Sequence, residues 1–132
     1  MIVLDTHALI WWVSDDQRLS AKARTLIEDT LAAAGQVLVS AISAWEVAML
    51  VARDRLALAM DLDEWLLAVE CIDGVRIAPV TPQIAVQSVT LPGEFHKDPA
   101  DRMIVALARE QNAILVTADD KIQRYPHVRW LW

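Results

Sequence analysis

Apolar positions along the chain fall into two patterns. Unbroken apolar runs occur at Ile2-Val3-Leu4, Val37-Leu38-Val39 and Ile114-Leu115-Val116. Such runs read as strands buried on both faces, the habit of central strands in parallel sheets. Between them, apolar residues recur at helical spacing: Ala23, Leu26, Ile27 and Leu31; Ile42, Met49 and Leu50; Leu62, Trp65, Leu66 and Val69; Ile104, Val105 and Ala108. The pattern predicts strands over 1–5, 37–40 and 114–117. It predicts helices over 6–13, from a Ser20 cap to 34, from Ile42 or Ser43 to 53, over 61–71, over 81–89 and over 98–111. Gly35 is placed as the stop of the second helix. The last of these helices is the most clearly written, with Asp98 as cap, Pro99 at its first position and Asp101 in its first turn. Residues 75–80 form a weaker extended segment, because Pro79 cannot donate to a ladder, and 128–132 a short terminal strand. Strands alternating with helices, with no internal repeat or linker, give one α/β domain over 1–132. Its architecture is expected to be a three-layer α/β/α sandwich around a mainly parallel sheet.

Composition narrows the class. The chain has 132 residues, 55% of them hydrophobic, with six Trp and only three Gly. That is long enough for a real core and too apolar for disorder. The apolar surplus suggests burial against a partner, and a homodimer is expected. Cys71 is the only cysteine, which excludes a disulfide framework or a cysteine-based zinc site. Strand-like sequence from Met1 leaves no room for a leader, and no apolar run reaches the ~18 residues of a membrane span. A cytoplasmic protein is expected. The net charge of −6 argues against a protein that coats nucleic acid through a broad basic face.

Against this background, certain acids stand out. Asp5 and Asp119 each lie at or just past the carboxyl end of a predicted parallel strand, where open α/β sheets bind ligands. Asp120 is expected to face water. Glu46 shares a helical stripe with Ile42, Met49 and Leu50, and Asp101 shares one with Ile104, Val105 and Ala108. Both carboxylates therefore point toward the core side, where an unpaired charge is costly. A salt bridge from Glu46 to Arg53 or Arg55 is the alternative. Asp98 is either a helix cap or a further member of the group. Four carboxylates cannot stay ionised together without a cation between them. Oxygen ligands without paired cysteines call for Mg²⁺ or Mn²⁺, and such an arrangement suits metal-dependent phosphoryl transfer.

These residues also carry a resemblance. Asp5 in VLDTHALIWW, Trp45-Glu46 in SAISAWEVA, His96 to Ala108 in HKDPADRMIVALA, and Thr117 to Asp119 in LVTAD closely resemble the PIN domain, nearest its VapC-like toxin branch. The resemblance runs in order over essentially the whole chain. It implies a Mg²⁺- or Mn²⁺-dependent endoribonuclease that cuts single-stranded or looped RNA, often tRNA or rRNA, and is inhibited by a cognate VapB-type antitoxin. Matched position by position, it assigns Asp5, Glu46, Asp101 and Asp119 as the active-site acids, with Asp98 as an extra acid. Asp5 and Asp101 would be the main metal ligands, and Glu46 a ligand or the base that orients water. Thr6 and Thr117 would hold carboxylates or bond within their own turns, and Arg102 would pair with a carboxylate or phosphate or lie exposed. RNA grip is expected from Arg53, Arg55, Lys97 and Arg102. The chain departs from the branch at Leu50, where relatives often carry a basic residue, at Asp54, where they carry Gly, and at Ala100, where an aromatic is common. The competing expectation is a PIN fold kept as a non-catalytic module that binds an antitoxin or RNA.

Overall fold

The structure, a computed structural model, describes residues 1–132. Five strands form one wholly parallel sheet: β1 (Ile2–Leu4), β2 (Val37–Ser40), β3 (Val75–Ala78), β4 (Ile114–Val116) and β5 (Trp130–Leu131), in the order β3-β2-β1-β4-β5. β1 lies at the centre, as its unbroken apolar run requires. Leu4 pairs with Val39 on one side and Val116 on the other. The residues that follow in each strand path, Asp5, Ser40 and Thr117, therefore arrive together at one rim. Strand order reverses beside β1, which is where parallel sheets open a crevice.

Alternation along the strands divides the core in two. Ile2, Leu4, Val37, Val39 and Val116 face one helical layer, while Val3, Leu38 and Leu115 face the other. The first layer holds α1 (Thr6–Val13), α2 (Ala21–Ala32) and α4 (Leu62–Glu70). The second holds α5 (Pro82–Val89), α6 (Pro99–Glu110) and α7 (Asp120–Gln123). Between them, α3 (Ala41–Ala52) packs Val47 into the first cluster and Ile42 against the second. The expected three layers are present, and the sheet is parallel throughout.

Helix ends account for most departures from the sequence reading. α3 starts directly from β2, with Ser40 as its cap accepting from the Ile42 N–H at 3.2 Å, so the helix opens before Ile42. Its buried stripe is centred on Ser43 and Val47, one step round from the predicted 42/46/49/50 line. α1, α2, α3 and α6 all close with the same pair of backbone hydrogen bonds, and each has one left-handed residue: Asp15, Ala34, Asp54 and Asn112. In α2 the Gly35 N–H reaches Thr30 O at 2.8 Å and the Ala34 N–H reaches Leu31 O at 3.1 Å. The left-handed position is thus Ala34 (φ 58°), and the helix itself stops at Ala32 rather than at the expected Ala34. Gly35 is needed for space, since a Cβ there would lie 2.9 Å from Thr30 O. Ala34→Gly should stabilise the fold by roughly 0.5–1 kcal/mol, the left-handed penalty less the entropy of a freer unfolded chain. A chemical denaturation midpoint that fell instead would refute this account.

The same geometry explains a departure from the family pattern. Asp54 sits at the left-handed position after α3 (φ 54°), so a glycine preference there follows from the backbone. Leu50 packs on the first core cluster, and Ala100 is buried.

Candidate active site

Five acids line one open pocket of about 420 Å³ at the carboxyl rim of the sheet: Asp5, Glu46, Asp98, Asp101 and Asp119. Thr6, His7, Trp11 and Ala118 complete it. Every acid singled out in the sequence is present, including Asp98, which both caps α6 and faces the pocket. Its Oδ1 accepts from the Asp101 N–H at 3.0 Å.

Asp5 is the most enclosed of the five, only 7% exposed. Its Oδ1 accepts from the Ala8 N–H at 2.8 Å, capping α1, and its Oδ2 accepts from the Thr117 hydroxyl. Burial outweighs both hydrogen bonds and raises its pKa to about 6. Thr117 Oγ1 in turn accepts from the Asp119 N–H at 3.0 Å, so one buried hydroxyl ties two acids from the ends of β1 and β4. Asp119 caps α7, its Oδ1 accepting from the Lys121 N–H at 2.8 Å. Asp120, as expected, is exposed and pairs with Arg124.

Glu46 enters from α3 and is held from the opposite side. The Thr6 hydroxyl donates to its Oε1 at 2.5 Å, and Ser43 Oγ lies 2.9 Å behind Thr6 Oγ1. No salt bridge joins Glu46 to Arg53 or Arg55. Its pKa is raised, chiefly by burial. Ser43 was not singled out in the sequence. The available signal was a serine on the inner face of an otherwise apolar helix, a group that must find a partner when buried.

Asp101 bears the repulsion of the whole group. Burial first, then the charges of Asp98, Asp119, Glu46 and Asp5, lift its pKa to about 7. His96 Nε2 approaches its Oδ2 to 3.0 Å. That nitrogen is sealed from solvent and makes no hydrogen bond. No lysine or arginine pairs with any of the five acids.

Arg102 does not pair with a carboxylate and is not free to meet a phosphate. Its guanidinium donates to Ser88 O at 2.6 Å, Phe95 O at 2.9 Å and His96 O at 3.1 Å. It therefore clamps the end of α5 and the segment leading into Asp98. The grip expected from Arg102 together with Arg53, Arg55 and Lys97 loses this member.

No three of these acids, with the histidines and Cys71, already stand as a finished coordination shell. The donor set nevertheless fits a hard divalent cation. Its charged oxygen donors are carboxylates that no lysine or arginine compensates, and burial together with mutual repulsion raises the pKa values of Asp5 and Asp101.

Residues 2–128 match the PIN domain family. The chain is 38% identical over 128 residues to Ribonuclease VapC22 of Mycobacterium tuberculosis (strain ATCC 25618 / H37Rv), covering 97% of this chain and 94% of that protein. Among solved structures it is similar to VapBC2 from Rickettsia felis bound to a DNA fragment from their promoter, with a TM-score of 0.71 at 18% identity, over 99% of this chain and 98% of that one. It is also similar to a toxin-antitoxin complex from Klebsiella pneumoniae, with a TM-score of 0.66 at 22% identity, over 97% and 95%. At these identities the structural likeness bears on the fold. The sequence likeness to the ribonuclease covers nearly the whole chain.

Proposed function

The chain belongs to the PIN-domain family, among its VapC-like ribonuclease toxins, and from that membership we propose a specific reading of its pocket. The protein is a Mg²⁺- or Mn²⁺-dependent endoribonuclease that cuts single-stranded or looped RNA, of the tRNA or rRNA class. One observation carries this reading: five acids from four separate elements share a single pocket, and no lysine or arginine pairs with any of them. Such a cluster is costly in a folded protein unless a cation and an anionic substrate complete it.

Asp5 and Asp101 are the principal ligands, with Asp119 and Asp98 beside them. A bound divalent ion would supply charge neutralisation and Lewis acidity to a phosphodiester. Glu46 is the base: Thr6 holds Oε1, which leaves Oε2 to take the proton of the attacking water. Its raised pKa brings it closer to the working range of a general base. Thr6 and Thr117 are positioning residues, each fixing one carboxylate, and Arg102 fixes the entry to α6.

The working partner is a cognate VapB-type antitoxin, a role supported by the complexes in which similar folds were solved. Exposed Trp45 on α3, Leu67 on α4, and Val86 and Val89 on α5 offer apolar surface for the antitoxin and for a homodimer. No helix is long and apolar enough to cross a membrane, and the site of action is the cytoplasm, where the RNA is.

The test is cleavage of total cellular RNA by purified, antitoxin-free protein with Mn²⁺ or Mg²⁺, with chelator, and with Asp5→Asn. Discrete fragments that need both the metal and Asp5 are expected. Folded protein that neither binds metal nor cuts RNA would favour the non-catalytic binding module.

A further inference from the structure

The acidic pocket raises a problem of grip. RNA is a polyanion, the chain carries a net charge of −6, and five of the nine residues lining the pocket are acids. The cation pairs the phosphate but offers nothing to the base attached to it. The pocket has one other resource, an aromatic wall made of His7 and Trp11.

The wall is built into the first helix. His7 and Trp11 are one turn apart on α1, with ring centroids 5.6 Å apart at 52°. Trp11 is braced from behind and cannot swing freely. The Trp132 ring lies 5.7 Å away at 59°, and the Arg18 guanidinium sits 5.1 Å from the Trp11 ring centre, itself held by Asp16 at 2.8 Å. His7 is exposed. It is two residues beyond Asp5, at the start of the same rigid helix, so its outward ring and the deepest carboxylate are fixed relative to each other.

We propose that His7, backed by Trp11, is a stacking subsite for an unpaired nucleobase next to the scissile phosphate. This rests on the ribonuclease reading and deepens it. Stacking needs no positive charge, so it works on a surface where phosphate contacts are weak, and every base has a π-face to offer. A base inside a duplex already has both faces covered and must be unstacked at a cost of a few kcal/mol. The subsite thus selects looped-out or single-stranded nucleotides by stacking rather than by reading base edges.

The test pairs protein variants with single-base deletions. The probes are labelled, mixed-sequence single-stranded oligoribonucleotides, intact or with one abasic residue moved stepwise along the strand. Binding is read by fluorescence anisotropy with Mn²⁺ in a Glu46→Gln background, which removes the proposed base and keeps both principal metal ligands. An abasic residue at one position should weaken binding roughly 5- to 150-fold. His7→Ala should weaken binding of the intact strand to a similar degree, and the two changes together should cost no more than either alone. His7→Phe should restore binding, since it keeps a ring and loses the imidazole nitrogens. Independent, multiplying losses would overturn the subsite, as would Phe behaving like Ala or no measurable binding by any strand. His7 is exposed, so its variants are expected to fold; Trp11→Leu, checked by thermal melting, asks separately whether the backing ring matters. Cleavage of total RNA without this coupling would remove the subsite and leave the ribonuclease reading intact. Coupling without cleavage would do the reverse.

Discussion

Asp101→Asn is expected to make the metal-free protein more stable at about pH 8 while removing its ribonuclease activity. The amide keeps the shape of the carboxylate and discards the charge that burial penalises and four neighbouring acids repel. Asp101 is only partly buried, so water screens some of that repulsion, and the gain should be about 1–3 kcal/mol. The same change removes a principal ligand from the group proposed to bind the cation, and cleavage should fall roughly a thousandfold or more. Asp5→Asn makes a useful contrast. Asp5 accepts hydrogen bonds from the Ala8 N–H and Thr117, and an amide can match these only in part, so its stability gain should be smaller at a comparable loss of activity. Denaturation midpoints and cleavage rates for the two variants decide the matter. If Asp101→Asn were less stable than the parent without metal, the pocket would not be a site of stored repulsion.

This opposition between stability and function also explains which parts of the site could be read from the sequence. Asp5 and Asp119 were legible because each follows an apolar run too dense for anything but a central strand. Asp101 was legible because its stripe continues into Ile104, Val105 and Ala108, all buried. Glu46 was found by a line drawn one residue off the true buried stripe of Ser43 and Val47, and the offset did not move it off the pocket side. The fixings behind these acids were not legible. Thr6 meets Glu46 across 40 positions and Thr117 meets Asp5 across 112, and a hydroxyl carries no mark of a partner so distant. Arg102 misled for a related reason. Its partners are backbone carbonyls of the segment Ser88 to His96, which any residue supplies, so no residue pattern announces them. α7, at four residues, is too short to show a period. Glycine commonly stops a helix, so the sequence points to Gly35, whereas the left-handed residue is Ala34 and Gly35 is needed for its close approach to Thr30.

The largest response of the whole protein should come from pH, and cation binding should reverse its sign. Asp5 and Asp101 have folded-state pKa values of about 6 and about 7 against an ordinary 3.8. Below about pH 4 both groups are protonated whether the chain is folded or not, and the shifts cost nothing. Between about pH 4 and 7 the folded protein holds protons that the unfolded chain has released, so stability falls as pH rises; above about 7 the full penalty is present. For Asp5 alone the move from 3.8 to about 6 corresponds to about 3 kcal/mol. Asp101, more open to water and coupled to Asp5, adds less than its own shift implies. Part of that penalty is already present at pH 5, so metal-free protein should melt roughly 5–10 °C higher near pH 5 than near pH 8. Saturating Mn²⁺ acts in the opposite direction. It binds the ionised carboxylates, so its affinity grows with pH, and at a hundred times its Kd it returns about 2.7 kcal/mol. The melting temperature in Mn²⁺ should then be level or rising over the interval in which the chelated protein declines. In Asp101→Asn the chelated decline should shrink toward that of Asp5 alone. Chelated melting temperatures that stayed flat from about pH 5 to 8 would mean that neither burial nor mutual repulsion penalises ionised Asp5 and Asp101 in the folded state, and the case for a cation-demanding pocket would fail.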